Sequence, residues 1–261
     1  MTPKNKARTL LIDADIFAYA ASAVSEKVYY WDGPGSEPSV DTEETPESAG
    51  KLAIERIEKI ANQLKASRIV VCLTDAHNFR KDVWPQYKAN RKDVRRPTHL
   101  IGVKDALASK YETYKRPGLE ADDCMGILAT HKTLIPGEKV IVSSDKDLKT
   151  IPGLLFNPDK DRVPHRITKV AADRNFLQQV ITGDATDGYP GCPGVGPKSK
   201  FVGLIHTCTT LSEMWRHVLD AYASKGLTAT DAVLQARMAR ILRATDWDFK
   251  LKAPRLWSPP I

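Results

Sequence analysis

The sequence has no long hydrophobic run. No apolar stretch approaches the 18 or so residues that a bilayer-spanning helix needs. The N-terminal stretch MTPKNKARTLLIDADIF has basic residues but no sustained apolar core ahead of a small-residue cleavage site. We therefore expect no signal peptide, no membrane partner and a cytoplasmic location.

Cysteine is scarce and its spacing is uninformative. The four cysteines contain no CxxC pair and have no nearby histidine at a zinc-binding spacing: Cys72, Cys124, Cys192 and Cys208. This pattern excludes a disulfide framework and disfavours a zinc or redox centre. We expect reduced thiols in or near the core.

The charge balance is basic. Lysine and arginine outnumber aspartate and glutamate by 39 to 32, which gives a net charge of +7. Such an excess is only a weak indication of a polyanionic partner, because many basic proteins bind nothing acidic. The distribution of the charges along the chain is more informative.

The apolar segments predict an α/β fold. The segments TLLIDAD (9–15), RIVVCLTD (68–75) and EKVIVSSDKDLKTI (138–151) are typical of buried strands, and each runs into aspartate. Helical periodicity at 16–24, 51–66 and about 100–110 separates them, with a short strand near YETYKR. Alternating strands and helices favour a mostly parallel central sheet flanked by helices.

Two other segments complete the organisation. Residues 32–50 are rich in glycine, proline, serine and acids, which predicts a solvated loop. After about residue 181 the chain is punctuated by glycine and proline and then becomes helical up to the tail APRLWSPPI. We therefore predict a catalytic core over 1–180 and a helical C-terminal region over 181–261.

Acidic residues gather where the strands end. Each acid has a purely structural alternative role, such as capping a helix or stabilising a turn, and for any single acid this alternative is favoured. Together, nine acids follow strand ends and turns that a parallel sheet brings to one edge. They are Asp13, Asp75, Glu120, Asp122, Asp123, Asp145, Asp147, Asp184 and Asp187.

A cluster of this kind cannot stay ionised without cations. Oxygen ligands with no histidine or cysteine among them favour Mg²⁺ or Mn²⁺ over zinc. Two such ions, about 3.5–4 Å apart, serve phosphoryl chemistry by activating water and stabilising the leaving oxygen. The acids therefore predict a site for two divalent metal ions.

Residues 80–96 are densely basic, with seven basic residues against two acids. If the segment is helical, Lys88, Arg91, Lys92 and Arg95 share one face. The alternative is that these charges only form a solvent-exposed face. Cations beside an acidic metal site would, however, bind the phosphates that flank the cleavage position in a nucleic acid. Tyr87 adjoins this face and could stack on a base. The other basic candidates for nucleic-acid contact are Arg80, Lys81 and Arg96.

GCPGVGPKSK, at 191–200, is rich in glycine and precedes a helix predicted to open at Pro197. Glycines there would let backbone N–H groups approach a phosphate, although a plain turn is the alternative. The stretch lacks the G-K-[ST] ending of a P-loop, so we do not expect ATP to bind. The predicted nucleic-acid contacts are Gly191, Gly194, Gly196, Lys198 and Lys200.

The motifs together resemble those of the flap endonuclease/5′-3′ exonuclease family, above all its bacteriophage members. The resemblance spans about residues 9–205 and rests on LLIDAD, TDAHNFRKDVWPQYKANR, GLEADD, VIVSSDKDL and GDATDGYPGCPGVGPKSK. It implies a PIN-like (resolvase-like) α/β core with two groups of metal-binding acids. One group would be Asp13, Asp75, Glu120, Asp122 and Asp123; the other would be Asp145, Asp147, Asp184 and Asp187.

The resemblance also implies a DNA-binding apparatus. Residues 80–100 would form a helical arch for the 5′ strand, in which Tyr87, Lys88 and Arg91 position the substrate or stabilise the scissile phosphate. Residues 183–205 would form a helix–hairpin–helix-type element that grips duplex DNA and holds a potassium ion. If a phage encodes the chain, the location is the host cytoplasm.

The sequence thus predicts a metal-dependent 5′-3′ exonuclease or flap endonuclease that acts as a monomer on double-stranded DNA with 5′ ends or 5′ flaps. Water attacks in line, the 3′-oxygen leaves, and the products carry a 5′-phosphate and a 3′-hydroxyl. An RNA–DNA hybrid is a second candidate substrate, suited to primer removal in replication or to recombination. Two alternatives are a catalytically degenerate DNA-binding scaffold of the same fold and a PIN-type ribonuclease.

Overall fold

A computed structural model of the chain describes residues 7–31, 36–42 and 44–260. The strands are β1 (Arg8–Asp13), β2 (Lys27–Tyr29), β3 (Ser39–Asp41), β4 (Arg68–Cys72), β5 (Glu112–Tyr114), β6 (Glu138–Val142), β7 (Gly153–Phe156), β8 (His165–Ile167), β9 (Trp247–Asp248) and β10 (Ala253–Pro254). The α-helices are α1 (Ala14–Val24), α2 (Pro46–Gln63), α3 (Phe79–Val83), α4 (Leu100–Lys110), α5 (Ala121–Thr130), α6 (Lys169–Thr182), α7 (Lys200–Thr207), α8 (Leu211–Ala223) and α9 (Ala229–Ala239). Short 3-10 helices cover Ala89–Arg91, Lys146–Thr150 and Ala244–Asp246.

The central sheet has six strands in the order β5-β4-β1-β6-β7-β8. All neighbours are parallel except β7 and β8, which pair antiparallel at one edge. The predicted mostly parallel sheet is thereby confirmed, with β7 and the edge strand β8 as additions that the sequence did not indicate. Because the strands are parallel, their carboxyl ends meet at one edge of the sheet.

Helices cover both faces of this sheet, which explains why β1 is a continuous apolar run. Leu10 and Ile12 lie in a core shared with α1, α2 and α4. Leu11, on the opposite face, packs in a second core with Met125 and Ile127 of α5. The two cores fix β1 between layers and thereby fix the position of the aspartate at its end.

The C-terminal helices build a third core. Residues of α6, α7, α8 and α9 pack together, and the ring of Tyr87 joins them. The predicted helical C-terminal region is confirmed, and the tail adds the small antiparallel pair β9–β10. The predicted boundary at residue 180 falls inside α6, whose buried residues belong to this third core, while the domain division itself stays a prediction.

The basic segment 80–96 is not the continuous helix that its charge spacing predicted. Helix α3 ends at Val83, Trp84 is extended, and a turn leads to the 3-10 helix Ala89–Arg91. Pro85 explains the break, since the residue before a proline is pushed out of helical backbone angles. Lys88 adopts a left-handed conformation with φ of 56°, so the basic residues from 88 to 95 do not share one helical face.

The predicted loop 32–50 is shorter than expected. Helix α2 begins at Pro46, and Thr45 and Ser48 form a reciprocal capping box at its start. Strand β3 also lies within this stretch and pairs with β2, which precedes it. Residues 32–35 and 43 of the predicted loop lie outside the described residues.

The remaining expectations concern membranes and thiols. Within the described ranges, no helix is both long enough and apolar enough to cross a bilayer. All four cysteines are free and buried, as the sequence predicted.

Candidate active site

Asp13 stands at the carboxyl end of the central strand β1 and caps α1. It is 2% exposed, accepts a hydrogen bond from Ser143 Oγ at 2.7 Å and receives the N–H of Ile16 at 3.3 Å. Burial raises the pKa of Asp13 to about 7 despite the Ser143 hydrogen bond, and the nearby charges of Asp15 and Asp145 raise it further. A buried carboxyl group in this state favours a cation beside it.

Asp122 lies in the first turn of α5, which packs across β1, β4 and β6 and thus faces the same edge of the sheet. Burial raises the pKa of Asp122 well above its usual range, and the charges of Asp13, Asp145 and Glu120 add to the effect. Three carboxylates from two strand ends and one helix therefore repel one another here. Repulsion of this kind is what a divalent ion would relieve.

Glu120, the N-cap of α5, differs from Asp13 and Asp122 because cationic side chains contact its carboxylate. Its carboxylate lies 2.5 Å from Lys88 Nζ, 2.9 Å from the Tyr87 hydroxyl and 3.4 Å from Arg80 Nη1. Burial would raise the pKa of Glu120, but Lys88 and Arg80 outweigh it and lower that pKa to about 2. The basic segment thus contacts the acidic group directly.

Asp75 follows strand β4 and is also partnered. It accepts the N–H of Gly118 at 3.0 Å and lies 3.3 Å from Lys115 Nζ. The hydrogen bond from the Gly118 N–H has the largest effect, and together with Lys115 it lowers the pKa of Asp75 below its usual value.

A second acidic group follows strand β6. Asp145 caps the 3-10 helix by accepting the N–H of Asp147 at 2.8 Å, so this stretch is not the extended strand that the sequence predicted. Asp147 accepts a hydrogen bond from Gln179 at 2.5 Å. Burial, and then the charges of Asp145 and Asp184, raise the pKa of Asp147 to about 6.

Asp184 and Asp187 share a tight turn after α6. The Asp184 carboxylate accepts the N–H of Asp187 at 3.2 Å and lies 3.4 Å from Lys146 Nζ. Asp187 lies 2.7 Å from Arg91, 3.6 Å from Lys88 and 2.9 Å from the Tyr87 hydroxyl. Lys88 and Tyr87 therefore bridge Glu120 of one acidic group and Asp187 of the other.

In the part of the chain that the structure describes, no three carboxylate, histidine or cysteine groups converge at metal-ligand spacing. The acids are neighbours, but Glu120, Asp184 and Asp187 are turned toward lysine and arginine. The crowded oxygen donors around Asp13 and Asp122, and separately around Asp147, nevertheless fit hard divalent ions, because burial and neighbouring carboxylates destabilise their charged forms.

Asp123 and Arg80 do not fit the roles that the sequence suggested. They form a buried bidentate ion pair with both distances 2.8 Å, and they are 0% and 2% exposed. Both Asp123 oxygens also accept backbone N–H groups, from Leu242 at 2.9 Å and from Glu120 at 3.2 Å. We therefore leave Asp123 out of the metal-ligand set and Arg80 out of the DNA-contact set.

Tyr87 is likewise not available for base stacking, because its ring is 2% exposed within the C-terminal core. Of the other basic residues, Lys81, Lys92 and Arg96 are exposed, as a DNA contact requires. Arg95 is held by Glu26 in a bidentate pair at 2.5 and 2.9 Å.

The glycine-rich stretch divides into two parts. Gly191 is buried, and its N–H donates to Gln235 Oε1 at 2.9 Å, so it cannot serve a phosphate as predicted. Its positive φ of 66° and its close approach to Gly183 explain why glycine stands there. Gly194, Gly196, Lys198 and Lys200 are exposed, and α7 begins at Lys200 with Ser199 as its cap instead of opening at Pro197.

Sequence reasoning missed several residues that contact the acids. Ser143, Lys146, Lys115 and Gln179 each contact a different predicted ligand. Ser143 and Lys146 could have been found from their places in SSDKD, directly beside the acids. Lys115 and Gln179 lie far from their partners in sequence and carry no local signal.

Comparison with known proteins identifies the family of this chain. A family profile for the 5′-3′ exonuclease N-terminal resolvase-like domain matches residues 8–153. The exonuclease of Escherichia phage T7 is 35% identical over 221 residues, covering 73% of this chain and 74% of that protein. Flap endonuclease Xni of Shewanella oneidensis is 29% identical over 187 residues, covering 68% of this chain and 71% of that protein.

The fold comparison agrees. The structure of the T5 D15 protein, co-crystallised with metal ions, matches with a TM-score of 0.65 over 91% of this chain and 90% of that one, at 15% identity. That likeness extends the resolvase-like fold through the C-terminal helices. With its family profile and a phage exonuclease relative covering almost three quarters of each chain, this protein belongs to the 5′-3′ exonuclease family.

Proposed function

We propose that this protein is a divalent-metal-dependent 5′-nuclease that hydrolyses DNA at 5′ ends or at the base of 5′ flaps. The products carry a 5′-phosphate and a 3′-hydroxyl. Nuclease activity follows from the family, whose members here include a phage exonuclease and a flap endonuclease. One observation supports the metal dependence: Asp13 at the end of β1 and Asp122 in the first turn of α5 lie at the same edge of the sheet, where burial and nearby carboxylates disfavour their charged forms.

Two groups of carboxylates would hold two divalent ions, Mg²⁺ or Mn²⁺. The proposed ligands are Asp13, Asp75, Glu120, Asp122, Asp145, Asp147, Asp184 and Asp187. When bound, the ions lower the pKa of water and neutralise the charge that develops on the phosphate.

Lys88 and Arg91 supply the charges closest to the acids. They pair with Glu120 and Asp187, which are among the proposed ligands. With Glu120 and Asp187 holding a metal ion, Lys88 and Arg91 would bind the phosphate under attack. Tyr87 positions Glu120 and Asp187 through its hydroxyl group and does not touch a base.

The DNA contacts lie on two surfaces. Lys81, Lys92 and Arg96 follow the basic segment next to the acids, and Arg95 joins them if it exchanges Glu26 for a phosphate. The exposed turn from Gly194 to Lys200 is the proposed grip on the duplex, with a potassium ion held by its carbonyl oxygens. We further propose that the protein acts as a monomer in the host cytoplasm and also accepts an RNA–DNA hybrid.

The test is product analysis on a 5′-labelled blunt duplex and a matched 5′-flap duplex, with Mg²⁺ or with EDTA. Release of mono- or dinucleotides from the blunt duplex, lost in Asp122→Asn and in EDTA, identifies an exonuclease. A single cut at the flap junction identifies a flap endonuclease. A matched RNA–DNA hybrid in the same series tests the second substrate.

Two results would contradict the proposal. DNA binding that is equal with and without Mg²⁺, with no cleavage, would favour a degenerate scaffold. Cleavage of single-stranded RNA in preference to all duplexes would favour a PIN-type ribonuclease.

A further inference from the structure

The buried pair of Arg80 and Asp123 stands where three parts of the chain meet. Arg80 belongs to α3, at the start of the basic segment, and Asp123 belongs to the first turn of α5. The third part is the segment 238–243, which comprises the last two residues of α9 and the four residues directly after it. Its backbone accepts from Arg80 at Met238 O (3.1 Å) and Arg240 O (2.6 Å).

The same segment reaches α5 itself. Leu242 N donates to Asp123 Oδ1, and the Leu242 carbonyl lies so close to Gly126 that an added Cβ there would come within 2.3 Å of it. Ala244 N donates to Thr130 Oγ1 at 2.7 Å, at the far end of the helix. Residues 242–244 are therefore hydrogen-bonded to both the first and the last turn of α5.

Asp123 also adjoins two proposed ligands that precede it in the chain, Glu120 and Asp122. Its Oδ2 accepts the N–H of Glu120, and Asp122 is its neighbour in the chain. Because both of its oxygens receive two donors each, Asp123 has no coordination left for a metal ion. A buried ion pair rarely stabilises more than apolar side chains of the same size would. Its fixed geometry, by contrast, orients the helix turn that it joins.

We infer that Asp123 is a positioning residue: paired with Arg80 and clamped by the segment 238–243, it sets the orientation of Glu120 and Asp122. This inference rests on the proposed function. Helix α9 also holds the chain just before the proposed DNA grip, since Gln235 of α9 receives the N–H of Gly191, three residues before Gly194. The glycine-rich stretch and the helix that bears the ligands are thus both hydrogen-bonded to α9 or to the residues directly after it.

The experiment compares two neighbouring acids. Asp122→Asn is the ligand control, Asp123→Asn keeps the shape of the side chain, and Arg80→Met/Asp123→Leu replaces the ion pair with an apolar pair that leaves no buried charge. Mn²⁺ binding is followed by electron paramagnetic resonance without DNA, thermal unfolding reports folding, and kcat and KM are measured on the flap duplex.

We expect Asp122→Asn to lose more than tenfold in Mn²⁺ affinity. The folded Asp123 variants should lose less than fivefold, because an ion draws flexible carboxylates toward it. Their kcat should fall at least tenfold with KM within threefold of the wild type, since small misplacements of reacting groups are costly to chemistry.

Loss of Mn²⁺ binding in the double variant to the extent seen for Asp122→Asn would make Asp123 a ligand and overturn the inference. An unchanged kcat in that variant would equally overturn it, leaving the pair a purely structural contact. Failure of the proposed function would look different: the wild type would not cleave, or Asp122→Asn would bind Mn²⁺ as the wild type does.

Discussion

Asp13 carries negative charge into a buried position against which the described part of the chain places no basic side chain. Its pKa is raised from 3.8 to about 7, so the fold disfavours its charged form. Above pH 7 the metal-free protein bears the whole cost, and the cost disappears as the pH falls toward 4. A bound divalent ion removes it at any pH.

Asp13→Asn should therefore stabilise the metal-free protein by on the order of 2 kcal/mol at pH 8, with little gain at pH 5. Urea unfolding in EDTA at both pH values measures the difference. The matched control is Asp248→Asn, because Asp248 lies 2.8 Å from Arg255 and loses an ion pair instead. An Asp13→Asn protein that is less stable than the wild type at pH 8 would show that its charge is already compensated.

Particular residues also show how much of the site could be predicted. Asp13, Asp75 and Asp145 were found because parallel strands bring their carboxyl ends to one edge. The pairing of Arg80 with Asp123 could not be found, since the partners are 43 positions apart and meet only when α3 packs against α5. A carboxylate in an acidic motif has no local signal that separates a ligand from an ion-pair partner.

At the scale of elements, the segment 87–91 bridges the two acidic groups. Lys88 Nζ lies 2.5 Å from Glu120 and 3.6 Å from Asp187, and Arg91 Nε donates to Thr186 O at 3.1 Å. If Glu120 and Asp187 are metal ligands, as proposed, Lys88 competes with a divalent ion for their oxygens. On that proposal the segment opposes metal binding until a substrate phosphate binds Lys88 and Arg91.

Lys88→Met should tighten Mn²⁺ binding about tenfold in the absence of DNA, because about 1.4 kcal/mol of competition is removed. Calorimetric titration with Mn²⁺ measures the change. Lys92→Met is the control: it removes the same charge from an exposed residue that, in the described part of the chain, forms no ion pair with either acid, and should change the affinity less than twofold. If both variants changed the Mn²⁺ affinity equally, the effect would come from the net charge of the protein and not from direct competition by Lys88.

The end of the basic segment is fastened by Glu26, just after α1. Arg95 donates to it twice and the N–H of Thr98 donates at 2.9 Å. The Arg95 hydrogen bonds, against the effect of burial, lower the pKa of Glu26 from 4.5 to about 2. Because the folded-state pKa is depressed, this stabilisation is complete above about pH 4.5 and is lost as the pH falls toward 2.

Glu26→Gln should lower Tm by about 3–6 °C at pH 7, and by less at pH 3. Hydrogen exchange of residues 95–99 should rise at the same time, since their anchor is weakened. Glu55→Gln serves as the control, because Glu55 is exposed and lies 3.9 Å from Lys51. A Tm difference that does not shrink at low pH would place the effect outside this ion pair.

The charge spacing of the basic segment shows why one element was mispredicted. Lys88, Arg91, Lys92 and Arg95 have helical spacing in the sequence. Pro85 interrupts the helix, and the Tyr87 ring is buried among C-terminal helices that the local sequence does not reveal. Apolar periodicity, in contrast, predicted β1, β4, β6 and α4 because it records burial within the element itself.

At the scale of the whole molecule, two groups of exposed lysines lie in different parts of the chain. Lys198 and Lys200 follow the glycine turn, and Lys225 approaches Gly194 so closely that an added Cβ there would lie 3.7 Å from its Nζ. Lys250 and Lys252 lie in the β9–β10 hairpin, whose Phe249 packs on His131, the C-cap of α5. The first group adjoins the proposed DNA grip, and the second belongs to a separate element.

If duplex DNA lies along the glycine turn, Lys198→Ala/Lys200→Ala should weaken binding to a flap duplex about equally for all sequences. Each lysine that contacts a phosphate contributes about one counterion, so the slope of log K against log salt should decrease by about 2. Fluorescence anisotropy in EDTA at several salt concentrations measures both quantities without cleavage. Lys250→Ala/Lys252→Ala, which removes the same charge from the β9–β10 hairpin, should leave the slope unchanged. Equal losses in the two double variants would mean that the net charge of +7, and not the glycine turn, holds the duplex.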